Sequence, residues 1–412
     1  MTDDKKLPRI LVVDDDPFMI ELETALLEEA GYEVVALDSA EEALAKIQNL
    51  EPDCVITDLV MPGVAGMQLL KNIKDDPSLS ELKVIVLSSK SFEFDKRQAM
   101  QFGADRFIIK PIDAESFAKS VRTVLESKLE LTFWGVRGTL PVPGARALRY
   151  GGNTSCVTIE FPKGQFFIFD AGSGIKELSN AWLAQKRGKL EAKIFISHPH
   201  WDHINALPFF VPLYIPGNEF EILGASHPHR TMRELISAQM DDIYFPITIK
   251  EFGSHVYFRD LNEGTIDIDG ITIKTKLLSH PGNCLGYRVE YEGRSVCYVT
   301  DNELFLSDSP HYDAHYVSRL TAFLDKADVL ITDCTYTDEE YERKVGWGHS
   351  CVSQVAKLAH DAGVETLYLF HHDPDQNDDA IDAKLEMAAR ALESMGSKTK
   401  CVAPAETDVV KL

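Results

Sequence analysis

Six consecutive residues, His198-Pro199-His200-Trp201-Asp202-His203, carry four strong metal-ligand side chains directly after the apolar run Ile194-Phe195-Ile196-Ser197. A strand rises about 3.3 Å per residue and turns alternate side chains to opposite faces. His198 and His200 can therefore share one cation, while the turn that follows carries Asp202 and His203 towards a second. Burying four such groups without a cation would leave unsatisfied or mutually repelling polar atoms. Clefts of N and O ligands of this kind suit borderline divalent ions such as zinc. Remote partners stand downstream at the ends of short β-prone runs: His280 after Thr275–Ser279, Asp301 after Ser295–Thr300 and His371 after Thr366–Phe370. His372 follows His371 directly, but neighbouring strand residues face opposite ways, and His371 is the better ligand.

A second constellation lies nearer the N-terminus. Arg9–Val13 is an apolar strand ending in Asp14-Asp15-Asp16, and Pro17 opens a helix as a first-turn proline should. Further strands are expected at 33–37, 53–57, 83–88 and 106–109, separated by helices near 17–30, 40–48, 65–73, 94–101 and 114–128. Strict β/α alternation predicts a doubly wound five-stranded parallel sheet, which binds ligands at the carboxyl ends of its strands. That edge carries Asp14, Asp15, Asp58, Ser88 and Lys110. Three carboxylates in one crevice call for a hard cation such as Mg²⁺. With Mg²⁺ bound, Asp58 can attack a phosphoryl group while Ser88 and Lys110 contact its oxygens. Asp16 reads as a helix cap.

The N-terminal set, including Thr57-Asp58-Leu59-Val60-Met61-Pro62-Gly63 and Lys110-Pro111, resembles the receiver domain of two-component response regulators over about residues 7 to 127. The resemblance implies Asp58 as phosphoacceptor, Mg²⁺ on Asp14, Asp15 and Asp58, Phe107 as an aromatic switch, and a sensor histidine kinase or other phosphodonor as partner. From Leu131 to Leu412 the chain resembles the metallo-β-lactamase superfamily. Gly135–Thr139, Tyr150–Cys156 and Phe169–Gly174 are similar to the branch that holds ribonuclease Z and cyclic phosphodiesterases. Carried over, His198, His200 and His280 would hold one metal, Asp202, His203 and His371 the other, and Asp301 would bridge them. The implied fold is an αββα four-layer sandwich. His349, in Gly346-Trp347-Gly348-His349-Ser350, matches the branch's proton donor or phosphate contact, with capping of the next helix as its plainer role. Asp333, after Asp328–Thr332, is a candidate to orient a ligand imidazole.

Two domains, 1–128 and 129–412, account for the 412 residues. No run approaches a membrane span, and the start lacks a signal-peptide core. With seven cysteines and no C-x-x-C pair, reduced thiols and a cytoplasmic home are expected. Positions 1–126 hold 14 basic against 25 acidic residues and the remainder 28 against 40, for a net charge of −23. An acidic chain disfavours long nucleic acids but admits a small phosphodiester held by metals. His227-Pro228-His229 lacks a following Asp-His pair and reads as a polar loop. The insertion from Ile204 to Tyr257 contains an apolar stretch, Leu207–Tyr214, that could line a substrate pocket or belong to the core, then a helix near 231–241. Helix five of the receiver runs almost directly into Leu129–Phe133, and a stiff joint can pass on a rearrangement.

These readings converge on a phosphorylation-regulated dinuclear hydrolase (Zn, with Mn or Fe as alternatives) of a small or cyclic phosphodiester, with a homodimer as one way to transmit the signal. Metals about 3.5–4 Å apart would activate water for in-line attack, with Asp202 orienting the nucleophile and His349 protonating the leaving group. Three alternatives stand beside it. A diiron redox or oxygen-sensing protein on this scaffold would carry Glu where His200 stands. An RNA 3′-end endonuclease would want a basic footprint. An inert interaction module would not keep the whole ligand set.

Overall fold

The computed structural model describes residues 7–61, 66–79, 82–89, 93–125, 129–184, 189–227, 229–243 and 245–412. The N-terminal start, Pro62 and Gly63 after the acceptor, Pro228, and the joint at 126–128 with its expected unbroken helix lie outside these residues. The chain divides into two compact units, the second beginning at Leu129.

In the first unit, strands β1 (Arg9–Val13), β2 (Glu33–Leu37), β3 (Cys54–Asp58), β4 (Lys83–Ser88) and β5 (Arg106–Ile109) alternate with helices α1 (Pro17–Glu29), α2 (Ala43–Leu50), α3 (Gly66–Asp75), α4 (Glu93–Gln101) and α5 (Ala114–Leu125). All pairings are parallel in the order β2-β1-β3-β4-β5. Strands β1, β3 and β4 are near-continuous apolar runs because both faces of the sheet are covered. Leu11, Val13, Val55, Val84 and Val86 pack with Leu69, Leu70 and Ile73 of α3. Ile10, Val12, Ile56, Ile85 and Leu87 pack on the other face with Leu27 of α1 and Phe117 and Val121 of α5. The chain leaves β1 for β2 on one side and returns as β3 on the other, so the crevice at their carboxyl ends receives Asp14 and Asp58. Strand β3 lies one residue later than expected and α2 starts three later. Asp16 caps α1, accepting from the Phe18 N–H at 3.0 Å.

The second unit contains two seven-stranded sheets of matching design. In chain order its strands are β6 (Glu130–Gly135), β7 (Cys156–Glu160), β8 (Phe166–Phe169), β9 (Glu191–Ile196), β10 (Glu219–Ala225), β11 (His255–Leu261), β12 (Gly264–Ile268), β13 (Ile271–Leu277), β14 (Leu285–Tyr291), β15 (Arg294–Val299), β16 (Val329–Asp333), β17 (Thr366–Phe370), β18 (Lys400–Val402) and β19 (Val409–Lys411). The sheet orders are β19-β6-β7-β8-β9-β10-β11 and β12-β13-β14-β15-β16-β17-β18. In each, three antiparallel pairings give way to three parallel ones. The parallel halves deliver β9, β15, β16 and β17 carboxyl-end first, which is where the chemistry-bearing residues stand.

Aromatic side chains join the sheets: Phe169 and Phe195 of one meet Tyr287 and Tyr298 of the other at ring-centroid distances of 5.3–5.7 Å. Helix α6 (Ile175–Ala184), the 3₁₀ turns Leu207–Phe209 and Val211–Tyr214, and α8 (Met232–Gln239) cover the first sheet's outer face. Helices α9 (Ala314–Phe323), α11 (Val352–Asp361) and α12 (Asp378–Ser394) cover the second's; α7 (Trp201–Ile204) and α10 (Asp338–Tyr341) are single turns beside the site. The result is an αββα sandwich. Most of the stretch 207–214 belongs to the core: Leu207, Phe210 and Leu213 are fully buried among Trp182, Phe220 and Ile222, while Phe209 is exposed. All seven cysteines are free thiols, six of them buried. Among the described residues, no helix is long and apolar enough to cross a membrane.

Candidate functional site

Strand ends of both sheets bring His198, His200, Asp202, His203, His280, Asp301 and His371 into one cluster. Two groups could each hold a cation, their ligand atoms lying within 4.8 Å of one another: His198, His200, His280 and Asp301, then Asp202, His203, Asp301 and His371. Asp301 divides its oxygens between them. Its Oδ2 lies 3.6 Å from His198 Nε2 and 3.7 Å from His280 Nε2. Its Oδ1 lies 3.3 Å from His203 Nε2 and 3.2 Å from His371 Nε2. Asp202 Oδ2 is 3.2 Å from His203 Nε2 and 3.1 Å from His371 Nε2, and His200 Nδ1 is 3.2 Å from His280 Nε2. Ligands around a tetrahedral cation at zinc-type bond lengths are spaced by about 3.3 Å. The buried Nε2 atoms of His198 and His203 have no hydrogen-bond partner, an arrangement a protein core tolerates poorly unless a cation takes the lone pairs. The donor set therefore fits two divalent ions.

Three of the rings are fastened from behind. His203 Nδ1 donates to Asp170 Oδ2 at 2.7 Å, and that carboxylate also accepts from the Tyr298 hydroxyl at 2.7 Å, the Ser197 hydroxyl at 2.8 Å and the Ser197 N–H at 2.7 Å. His280 Nδ1 donates to the Gly348 carbonyl at 2.8 Å, and His371 Nδ1 lies 3.1 Å from the Thr335 hydroxyl. Asp202 accepts the Thr139 N–H at 2.7 Å. Such partners fix ring orientation and leave the opposite nitrogen for a metal. The glycines here are required: a Cβ on Gly138 would lie 2.1 Å from the His371 ring, and one on Gly348, itself at φ +88°, 2.4 Å from His280 Nδ1.

Burial holds the imidazoles of His198, His200 and His280 below the ordinary histidine range, the neutral form a ligand needs. At His203 burial pulls the same way but is outweighed by Asp202, Asp301 and Asp170, which raise it. Burial would raise Asp301 and Asp202, yet the surrounding histidines hold both well below the carboxylate range.

His349 sits beside this cluster, its ring 4.9 Å from that of His371 and 5.3 Å from that of His280. Its Nδ1 donates to Asp333 Oδ2 at 2.8 Å. Asp333 is itself held by the Thr335 hydroxyl at 2.7 Å and the N–H groups of Thr335 and Asn302 at 3.0 and 3.1 Å. Burial opposes charge on His349, but Asp333 and then Asp301 outweigh it and raise the imidazole to about 9. Asp333 thus orients His349, and the cap of α11 is Cys351. A cavity of about 660 Å³ opens over His200, Asp202, His280, Asp301, His349 and His371.

Other histidines lie apart. His372 is fully buried with neither ring nitrogen hydrogen-bonded. His227, His229, His255, His311 and His315 are exposed and His360 half-buried, and none joins a ligand cluster among the described residues. Residues not singled out by sequence reasoning matter too. Asp170 lay in plain view in the Phe169–Gly174 motif. Arg137, fully buried, donates to the carbonyls of Gly151 and Gln376 and pairs with Asp378, tying the loop before Gly138 to the start of α12. Glu303 had no motif to mark it.

In the first unit, Asp14, Asp15 and Asp58 form a further group, all carboxylates, within 4.8 Å. Lys110 Nζ pairs with Asp14 Oδ2 at 2.6 Å and with Asp58 Oδ2. Burial would lower the lysine, but these carboxylates raise it. Ser88 ends β4, fully buried, and Phe107 on β5 is half-buried against the core. Sequence reasoning passed over Glu23, buried on α1 with both carboxyl oxygens unpartnered. Burial, with Asp14, pushes it up to about 8.

A seven-ligand cluster at the strand ends of an αββα sandwich defines a metallo-β-lactamase fold. The metallo-β-lactamase fold protein YhfI from Bacillus subtilis superposes with a TM-score of 0.50, covering 69% of this chain and 100% of that one at 17% identity, a likeness of fold. The chain belongs to the β-lactamase superfamily, whose "Beta-lactamase superfamily domain" family matches residues 166–372, and it joins to this a response regulator receiver domain, matched over residues 10–122. Protein PilH of Pseudomonas aeruginosa is 34% identical over 119 residues, which are 29% of this chain and 98% of PilH. The phosphate regulon transcriptional regulatory protein PhoB of the same organism is 33% identical over 116 residues, 28% of this chain; the chain spans about half of its length, 51%.

Proposed function

We propose that residues 129–412 form a dinuclear metal-dependent phosphodiesterase acting on a small or cyclic phosphodiester, and that residues 1–128 form the receiver that controls it through phosphorylation of Asp58. The observation that carries the reading is the division of Asp301 between two imidazole groups, with the buried Nε2 atoms of His198 and His203 turned inward and unpartnered. His198, His200 and His280 would hold one ion, Asp202, His203 and His371 the other, with Asp301 shared. Bound there, divalent ions activate water and neutralise charge on phosphoryl oxygens.

The chain's own residues supply the rest. The Thr139 N–H fixes Asp202 Oδ2 at the cavity floor, so one carboxylate oxygen is held still where it can orient an attacking nucleophile. Asp333 accepts the His349 Nδ1–H at 2.8 Å and leaves Nε2 to carry the proton a departing alkoxide needs. A general acid so placed contributes roughly 10²–10⁴ in rate. Acidic surroundings and a cavity of about 660 Å³ suit a compact substrate whose charge the metals meet. In the receiver, Asp14, Asp15 and Asp58 would take Mg²⁺, and a phosphoryl group on Asp58 would draw Lys110 from its carboxylates. Ser88 and Phe107 are the groups through which that change would be read.

A panel of cyclic nucleotides, dinucleotides and cyclic sugar phosphates, assayed with Zn²⁺ or Mn²⁺ beside metal analysis, tests the proposal. Turnover of at least one, lost on chelation and restored by metal, is expected. Full metal occupancy with no turnover of any of them would overturn it.

A further inference from the structure

Three residues that line the cavity have no part in the chemistry above. Trp201 and Trp347 both line it, 79% and 61% exposed, and Lys344 is the only lysine or arginine among the described residues that do. Indoles this exposed beside a cavity leave ring surface on which a planar group can stack. Lys344 is held in place by its surroundings. Its Nζ lies 4.9 Å from the Tyr336 ring centroid and 4.8 Å from that of Trp347, and among the described residues its carboxylate contact is Asp373, at a loose 3.4 Å.

The turn that carries them is built with care. Buried Glu303 accepts the Gly346 and Gly348 N–H groups at 2.7 and 2.8 Å and the Tyr341 hydroxyl at 2.8 Å. Trp347 N–H closes on the Lys344 carbonyl at 3.1 Å. The Gly348 carbonyl accepts from His280, so the turn that orients a candidate metal ligand also presents an indole and an ammonium to the same cavity. A fixed π-face beside a fixed cation matches a ligand that joins a planar ring to a phosphate. Bases of any identity stack favourably on an aromatic side chain.

We infer that Trp347 and Lys344, with Trp201 also lining the cavity, form a recognition subsite for the nucleoside portion of a phosphodiester, the base stacking on Trp347 while Lys344 releases Asp373 to meet a phosphate oxygen. This inference rests on the phosphodiesterase reading and narrows its substrate class to nucleoside phosphodiesters.

The test pairs a dinucleotide, pApA, with glycerophosphocholine, a phosphodiester without an aromatic ring. Both are assayed as substrates of the zinc-loaded full chain and titrated against tryptophan fluorescence. The chain is expected to prefer pApA, and Trp347→Leu to lower the ratio of kcat/KM for pApA over glycerophosphocholine about tenfold, with Trp347→Phe recovering part of it. Lys344→Gln should raise KM for both. Equal losses on both substrates in Trp347→Leu, or fluorescence blind to pApA, would overturn the subsite even if glycerophosphocholine is turned over. Quenching by pApA that is lost in Trp347→Leu supports the subsite even if nothing is hydrolysed, in which case only the phosphodiesterase reading fails.

Discussion

Asp14, Asp15 and Asp58 in the first unit and Asp202 and Asp301 in the second pose the same electrostatic problem, carboxylates crowded at strand ends. The first unit answers it with the ammonium of Lys110 and leaves Asp15 exposed. The second answers it with imidazoles, three of them tied from behind by a carboxylate, a carbonyl or a hydroxyl. A lysine on a flexible stem can leave when a phosphoryl group arrives, whereas rings locked by outer partners favour an ion that stays. The contrast separates a site built for exchange from one built for retention. Removing a ligand should therefore do most harm in the second unit: His200→Ala is expected to lower turnover by at least about 10³ and to lose metal by elemental analysis. Wild-type metal content and rate in that variant would erase the distinction.

Next in size is an effect confined to the receiver. Glu23 occupies an apolar position on α1, one turn before Leu27, and burial has pushed its carboxyl up to about 8. A carboxyl raised on folding contributes stability that is whole below its unfolded pKa near 4.5 and is lost as pH climbs through the folded value. Its cost thus grows from about pH 5 to 8. Glu23→Leu should stabilise the receiver by roughly 3 kcal/mol at pH 7.5 and by clearly less at pH 5, read as amide exchange protection of β1, β3 and β4 in the full chain. An equal gain at both pH values would mean that folding leaves the Glu23 carboxyl unshifted.

Smaller again is the consequence of loosening one outer partner. Asp170→Asn keeps the shape but gives His203 a weaker acceptor, and metal affinity should fall by about 10–100-fold. A chelator competition unchanged from wild type would show that the ring needs no such anchor.

What could be seen in the sequence followed the distance over which its signal is local. The six residues from His198 to His203 and the run from Asp14 to Pro17 carry their meaning within one turn of chain, and the structure groups the first with His280, Asp301 and His371 and caps α1 with Asp16. Asp170 serves His203 and Tyr298, the second 128 positions away, so only its motif hinted at it. Glu303 and Arg137 act by gripping loops brought close through folding, and nothing in their own neighbourhoods says so. The stretch 207–214 was ambiguous because apolar residues look alike whether they line a cavity or fill a core, and packing against Trp182 and Phe220 decided for the core. Strand β3 slipped by one residue because Asp58, a poor strand former, is carried by its ladder partner Leu87.

The least of the expected effects joins the two kinds of site. If Asp58 is a phosphoacceptor whose modification biases an equilibrium already present in the chain, beryllofluoride with Mg²⁺ should change the hydrolase rate by about fivefold or more, the low end of ordinary coupling energies. The change should vanish in Asp58→Asn, which cannot form the adduct, and in Lys110→Ala, which removes the cation that pairs with Asp14 and Asp58. Metal content at the buried site should stay constant throughout, because retention there depends on partners such as Asp170 and Gly348 that belong to the second unit alone. Equal turnover with and without the mimic would leave an exchangeable site and a retentive one sharing a chain without sharing a signal. A fall in bound metal on adding the mimic would instead say that the receiver acts by opening the ligand cage.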